Sequence, residues 1–146
     1  MKPMGAVFVR SALALAICFS FGTPPAPAEE TSSGGAVTAY YFHGTFRCPT
    51  CNKMEQYAKE AIEKDFKSEL DSGKLVFQSV NVETAGNEHF VKDYQLYTKT
   101  LILSMAGNGS EVRSKNLDKI WEYVRDKERY QNYVRDELGA FMKVAS

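Results

Sequence analysis

The sequence holds few cysteines and no excess of charge of either sign. Three cysteines occur in 146 residues, and 18 Lys and Arg residues balance 18 Asp and Glu residues. A secreted domain that depended on disulfides for its fold would hold more cysteines, and they would join distant segments. A nucleic-acid-binding domain would show a basic stripe, and the sequence has none. Composition therefore argues against a disulfide scaffold and against nucleic acid as a partner.

Long apolar runs are also missing, except at the N-terminus. Residues 11–22 (SALALAICFSFG) follow two basic residues and precede TPPAPAEE, in which Ala26 and Ala28 form an Ala-x-Ala pattern. This is the anatomy of a cleavable secretory signal. The run is shorter than the ~20 residues of a membrane-spanning helix, although a retained anchor is the alternative. We expect a signal peptide at 1–28, removed together with Cys18. The mature protein would then be periplasmic or secreted, with no stable membrane span.

The rest of the chain is organised as one domain. Residues 29–35 (EETSSGG) are small and polar, which is typical of a flexible leader. Residues 36–146 are enough for one domain with a real core and too few for two.

Strand and helix patterns alternate through residues 36–146. Runs of β-branched and aromatic residues predict strands, and apolar residues spaced by three and four predict amphipathic helices. The predicted strands are 36–44, 74–83, 100–106 and 110–115, and the predicted helices are 48–70, 87–96 and a last region from 117 onward that forms two helices or one bent helix. This order predicts an α/β domain with a mixed central sheet and helices on both faces.

Single residues in and beside the predicted helices carry further expectations about caps and burial. Asn87 and Asn116 stand where side-chain caps are expected. Val91 is predicted to face inward from the second helix, and Trp121 is predicted to lie in the core.

Cys48 and Cys51 stand three residues apart in FRCPTC, directly after the first predicted strand. The helix register turns Cys51 toward the core and leaves Cys48 at the helix start. Pro49 takes the first-turn position, where its missing N–H costs nothing. The free N–H groups and the helix dipole favour a Cys48 thiolate, and Arg47 adds a positive charge. We therefore expect Cys48 to attack a substrate disulfide and Cys51 to resolve the mixed disulfide.

Other interpretations of this pair stay open. A bridge over two intervening residues restricts the unfolded chain little, so a purely structural disulfide is a weak explanation. A C-x-x-C pair is also half of many zinc sites, and two thiolates can bind Cu(I), Zn or As(III). His43 would be a third metal ligand, a proton carrier for the cysteines, or a strand histidine with a satisfied ring. Beyond a redox-active Cys48–Cys51 disulfide, we expect no cofactor.

The sequence resembles the thioredoxin-like superfamily over most of the chain from Val37 onward. The resemblance rests on YYFHGTFRCPTC, on the element order, and on TLILSMAGNGSEV, which looks like the strand-turn-strand after the redox helix. It implies a thioredoxin-like fold and exchange with a partner redox protein or a protein disulfide. More narrowly, YFHGTFRCPTC and NLDKIWE look like a bacterial group labelled nitrophenyl compound nitroreductase subunit, linked to organoarsenical detoxification. A nitroreductase role would need a partner protein, since no flavin or nicotinamide site is visible.

The sequence departs from the thioredoxin pattern at the site itself. The usual Cys-Gly-Pro-Cys is Cys-Pro-Thr-Cys here, the preceding Trp is Arg47, and the buried acid of the family falls on Phe42. The family's cis-proline falls at or near Lys99, where we expect a trans bond because a non-proline cis bond costs roughly 3 kcal/mol. In the family that proline discourages metal binding, so its absence raises the metal alternative. Lys99 is either a solvated strand-end charge or a cation that lowers the pKa of Cys48.

These observations lead to one main hypothesis and two alternatives. The main hypothesis is an exported thiol–disulfide oxidoreductase, or an electron-relay subunit, that uses Cys48 and Cys51. The alternatives are a thiol carrier of a soft metal or metalloid, and an accessory subunit of a nitroaromatic or arsenical reductase.

Overall fold

The structure, a computed structural model, describes residues 35–144. The predicted signal peptide and residues 29–34 of the predicted leader lie outside the described residues. The elements in chain order are β1 (Val37–His43), α1 (Pro49–Asp65), α2 (Lys67–Asp71), β2 (Leu75–Asn81), α3 (His89–Asp93), β3 (Thr100–Gly107), β4 (Ser110–Asn116), α4 (Ile120–Tyr123) and α5 (Lys127–Lys143).

The four strands form one mixed sheet in the order β2-β1-β3-β4. β1 runs parallel to β2 and antiparallel to β3, and β3 and β4 form an antiparallel hairpin. The hairpin turns at Asn108 and Gly109, whose positive φ angles of 53° and 79° match the twist of a tight hairpin. β1 is therefore a central strand, and the chain leaves its carboxyl end directly into the segment that carries the two cysteines.

Helices cover both faces of the sheet. On one face, α1, α4 and α5 pack on the larger core, and its members there include Met54, Ile120 and Tyr130. On the other face, α3 packs on a smaller cluster built around Phe42. A βαβ unit followed by a β-hairpin and a helix, with this strand order, is the thioredoxin-like arrangement. The predicted α/β class and mixed sheet are therefore confirmed.

The predicted single helix 48–70 is wrong in one respect, because it is two helices. α1 ends at Asp65, and Phe66 leaves the helical region with φ −130° and ψ 31°. The N–H of Phe66 still bonds to the carbonyl of Ile62 at 2.9 Å, and α2 then begins at Lys67. The turn allows both Phe66 and Leu70 to pack against the larger core.

Two predicted core residues lie at the surface. Trp121 is 40% exposed, and its indole N–H donates a hydrogen bond to the carbonyl of Lys99 at 2.8 Å. Val91 is also 40% exposed, whereas its neighbours Phe90 and Tyr94 are partly buried against the smaller cluster.

The two predicted asparagine caps have other partners. The side chain of Asn87 donates to the carbonyl of Asn81 at 2.9 Å, so it ties the start of α3 to the end of β2. Asn116 ends β4, and its side chain accepts from the hydroxyl of Thr100 on β3 at 2.6 Å. Both side chains therefore bond to groups of the strands, and neither caps a helix.

Candidate functional site

Cys48 is the residue that caps α1. Its backbone is extended, with φ −74° and ψ 159°, and α1 begins at Pro49. The sulfur of Cys48 accepts a hydrogen bond from the backbone N–H of Cys51 at 3.2 Å. The backbone N–H of Cys51 and the positive end of the helix dipole therefore face this sulfur.

Cys48 and Cys51 are joined by a disulfide, with their Cα atoms 5.1 Å apart. Cys51 is 2% exposed and belongs to the buried face of α1, whereas Cys48 is half-buried. The helix register predicts this order of burial. An attacking thiol from another molecule would therefore meet the sulfur of Cys48 first.

Two buried tyrosines hold α1 below the cysteines. The hydroxyl of Tyr41 donates to the carbonyl of Cys51 at 2.8 Å, and that of Tyr130 donates to the carbonyl of Met54 at 2.8 Å. Burial raises the pKa of Tyr41 to about 12, against the opposing charge of Arg47, and burial also raises the pKa of Tyr130. Both tyrosines are fully buried, so each hydroxyl is committed to its carbonyl.

Arg47 contacts two elements beside the disulfide. Its Nη2 forms an ion pair with the carboxylate of Glu55 on α1, and its Nη1 lies 3.3 Å from Nε2 of His43 at the end of β1. The guanidinium also lies 6.0 Å from the ring centroid of Tyr41. The positive charge predicted next to Cys48 is thus present, and a carboxylate neutralises it.

His43 is engaged at both ring nitrogens. Nδ1 lies 2.8 Å from the carbonyl of Gly44, so Nδ1 carries the hydrogen and donates it. Nε2 is then left as the acceptor for Arg47. A metal bound through His43 would have to displace one of these two partners. Between residues 35 and 144, no group of three or more His, Cys, Asp or Glu side chains is placed to hold a metal ion.

The loop between β1 and α1 is fastened to the end of β2. The N–H of Thr45 donates to Glu83 Oε2 at 2.9 Å, and the side-chain amide of Asn81 donates to the hydroxyl of Thr45 at 3.1 Å. The bond from Thr45 holds the pKa of Glu83 below its usual value, and the charge of Lys99 acts in the same direction. Gly44 permits this arrangement, because a Cβ there would lie 2.5 Å from the carboxylate of Glu83.

Lys99 lies just before β3, in the next position after the Phe42–Thr100 pair of the β1–β3 ladder. Every peptide bond in the described residues is trans, as expected for the bond at Lys99. Lys99 lines a groove of about 160 Å³ together with His43, Glu83 and Tyr97. Its charge acts on Glu83. An effect of Lys99 on Cys48 stays a prediction.

Sequence reasoning missed three residues of this site. The sequence patterns assign no role in this site to Tyr41, Glu55 or Glu83. A signal for Glu55 was present, because it lies seven residues after Cys48 and four after Cys51, on the same side of α1. No sequence spacing points from Glu83 to Thr45, since that contact depends on the parallel pairing of β1 and β2.

Comparison with solved structures finds chains of low similarity, and two of them are thioredoxins. Thioredoxin O2 of Arabidopsis thaliana in its oxidised state shares 13% identity, with a TM-score of 0.41 over 66% of this chain and 76% of that one. A thioredoxin of Thermus thermophilus shares 22% identity, with a TM-score of 0.36 over 62% of this chain and 72% of that one. A malarial protein shares 16% identity, with a TM-score of 0.38 over 63% and 96%. No protein-family model and no curated protein match the chain.

Proposed function

We propose that this protein is a thiol–disulfide oxidoreductase whose redox centre is the Cys48–Cys51 pair. The observation that carries the proposal is the position of Cys48: its sulfur caps α1 at the carboxyl end of a central strand, bonded to a buried partner cysteine. Helix N-termini stabilise thiolates, and a thiolate is both the attacking and the leaving group in disulfide exchange.

The exchange proceeds in two balanced steps. In the reduced protein, the Cys48 thiolate attacks one sulfur of a substrate disulfide, forms a mixed disulfide and releases the first substrate thiolate. The Cys51 thiol then loses its proton, attacks the sulfur of Cys48 and expels the second substrate thiolate. Two electrons pass to the substrate, whose two sulfurs take up protons. A dithiol donor must then reduce the Cys48–Cys51 disulfide before the next cycle.

The surface next to the cysteines supports a protein as the exchange partner. Phe46, two residues before Cys48, is 77% exposed, and Tyr97, which lines the groove beside His43, is 93% exposed. Exposed aromatic side chains are favoured at protein–protein contacts, where they supply a large apolar area. We infer that the partner is a protein disulfide or another redox protein.

The narrower sequence resemblance supports one specialised form of this proposal. An accessory subunit of a nitroaromatic or arsenical reductase would pass electrons through the same cysteine pair to a single dedicated partner. The soft-metal carrier gains no such support, because both ring nitrogens of His43 already have partners.

We also propose that the protein is exported. The support is the sequence pattern of residues 1–28. None of the helices between residues 35 and 144 has the length and apolar character of a bilayer-spanning segment. Mass spectrometry of the protein from a bacterial periplasm should find a chain that begins at Glu29. An intact N-terminus in the membrane fraction would show that the apolar run is an anchor.

Reduction of a protein disulfide tests the catalytic proposal. With a small dithiol as electron donor, the wild type should accelerate the reduction of insulin disulfides, and Cys48→Ser should abolish the acceleration. Cys51→Ser keeps the attacking cysteine and loses the resolving one, so it should accumulate a mixed disulfide that mass spectrometry detects. Equal activity of the wild type and Cys48→Ser would overturn the proposal.

A further inference from the structure

The side chain of Arg47 is directed along α1 and held by its neighbours. Arg47 directly precedes Cys48, but its Nη2 pairs with Glu55, which lies two helical turns beyond Cys48. Its Nη1 lies 3.3 Å from Nε2 of His43 and faces the lone pair of that nitrogen. The Arg47 and Glu55 side chains are 27% and 23% exposed, so the pair is partly shielded from solvent.

The positive charge of Arg47 can stabilise either of two anions, the Glu55 carboxylate or the Cys48 thiolate. When the disulfide is reduced, a Cys48 thiolate forms one residue away from Arg47. Glu55 and the thiolate then compete for the same guanidinium. A cation next to a thiolate stabilises the reduced pair and makes the disulfide more oxidising. A carboxylate that retains the cation has the opposite effect.

We propose that Glu55 sets the reduction potential of the Cys48–Cys51 pair by holding and neutralising Arg47. Glu55 is in this account a positioning residue that acts through Arg47, and the inference rests on the proposed redox function. It makes the protein a weaker oxidant than the position of Cys48 at a helix N-terminus would otherwise give. Two further contacts keep Arg47 next to Glu55. Tyr41 fixes the first turn of α1, and His43 contacts the second nitrogen of the guanidinium.

A double-mutant cycle separates this role from a general charge effect. Glu55→Gln frees Arg47, so the exchange equilibrium against a glutathione buffer should shift about tenfold toward the dithiol, equal to about 30 mV. Arg47→Gln removes the cation itself, so it should cause no such shift toward the dithiol. The double variant should match Arg47→Gln alone, because Glu55 acts only through Arg47. Glu63→Gln is the matched control, because Glu63 is another acid of α1, paired with Lys59 at 3.7 Å and 56% exposed.

The rate of Cys48 alkylation as a function of pH gives a second readout that a merely structural role would not move. Glu55→Gln should react faster below pH 8 than the wild type, and the Glu63→Gln control should not. The inference is overturned if Glu55→Gln shifts the equilibrium no more than Glu63→Gln, or if its shift persists without Arg47. A wild-type disulfide that glutathione cannot reduce would instead count against the proposed function, so the two failures are distinguishable.

Discussion

The two buried tyrosines under α1 provide a matched pair of substitutions. Tyr41 and Tyr130 are both fully buried, and each hydroxyl donates to a carbonyl of α1 at 2.8 Å. The acceptors, Cys51 and Met54, lie three residues apart on the buried face of the helix. Replacing either tyrosine by phenylalanine removes one oxygen and keeps the ring in place.

Each substitution should destabilise the oxidised protein by about 1 kcal/mol, the usual net value of a hydrogen bond in a folded protein. For a domain of this size, that loss lowers the midpoint of thermal unfolding by about 4 °C. Tyr41→Phe and Tyr130→Phe should therefore unfold at similar temperatures, both below the wild type, in a calorimetric scan.

The redox behaviour should distinguish the two variants. Tyr41 bonds to the backbone of a cysteine of the disulfide, so Tyr41→Phe loosens the first turn of α1 and should change the rate of disulfide exchange. Tyr130 bonds one turn later, and Tyr130→Phe should leave that rate unchanged. Normal stability of Tyr41→Phe beside a destabilised Tyr130→Phe would refute the inferred anchoring of Cys51 by Tyr41.

Three further predictions follow from the same contacts. In the reduced protein, Cys48 should be alkylated much faster than the buried Cys51, as mapped by peptide mass, and equal rates would remove the basis for naming Cys48 as nucleophile. Burial raises the pKa of Tyr41 to about 12 from the ordinary 10.0; the folded state thus retains a proton that the unfolded state releases, and stability should fall between pH 10 and pH 12, less steeply in Tyr41→Phe. Lys99→Met should raise the Cys48 pKa and slow disulfide exchange. An unchanged rate would mean that the charge of Lys99 acts on Glu83 and not on Cys48.

The fold could be predicted from sequence because its elements have strong local patterns. The apolar stripe of Cys51, Met54, Ala58 and Ile62 defines both the helix α1 and the face that it buries. The break at Phe66 could not be predicted, because the same spacing continues through it.

Side-chain partners across distant segments were the main source of wrong predictions. Trp121 belongs to an apolar stripe in sequence, but the carbonyl of Lys99 offers its indole N–H a partner at the surface. Asn87 and Asn116 are of a residue type that often caps helices, but their side-chain amides bond to groups of the strands instead. Local sequence gives a polar residue its possible bonds, and the fold selects among them.

The relative burial of the two cysteines could be predicted from the sequence, but the contacts of the carboxylates beside them could not. Cys48, Cys51 and Pro49 form a local motif, and the helix register predicts their relative exposure. The carboxylates of Glu55 and Glu83 reach the site only after β1, β2 and α1 are assembled. The contact of Glu83 has no signature in a single sequence, whereas the spacing of Glu55 from the cysteines places it on their side of α1.

Equilibration of the protein with glutathione buffers of graded potential tests the redox centre most directly. The fraction of Cys48–Cys51 disulfide, counted by thiol labelling, should follow one two-electron transition at a potential between about −270 and −120 mV, the range of known exchange proteins. The transition should be absent in Cys48→Ser and unchanged by added zinc. A disulfide that stays intact below about −300 mV would be structural, and it would contradict the assignment of this pair as the redox centre.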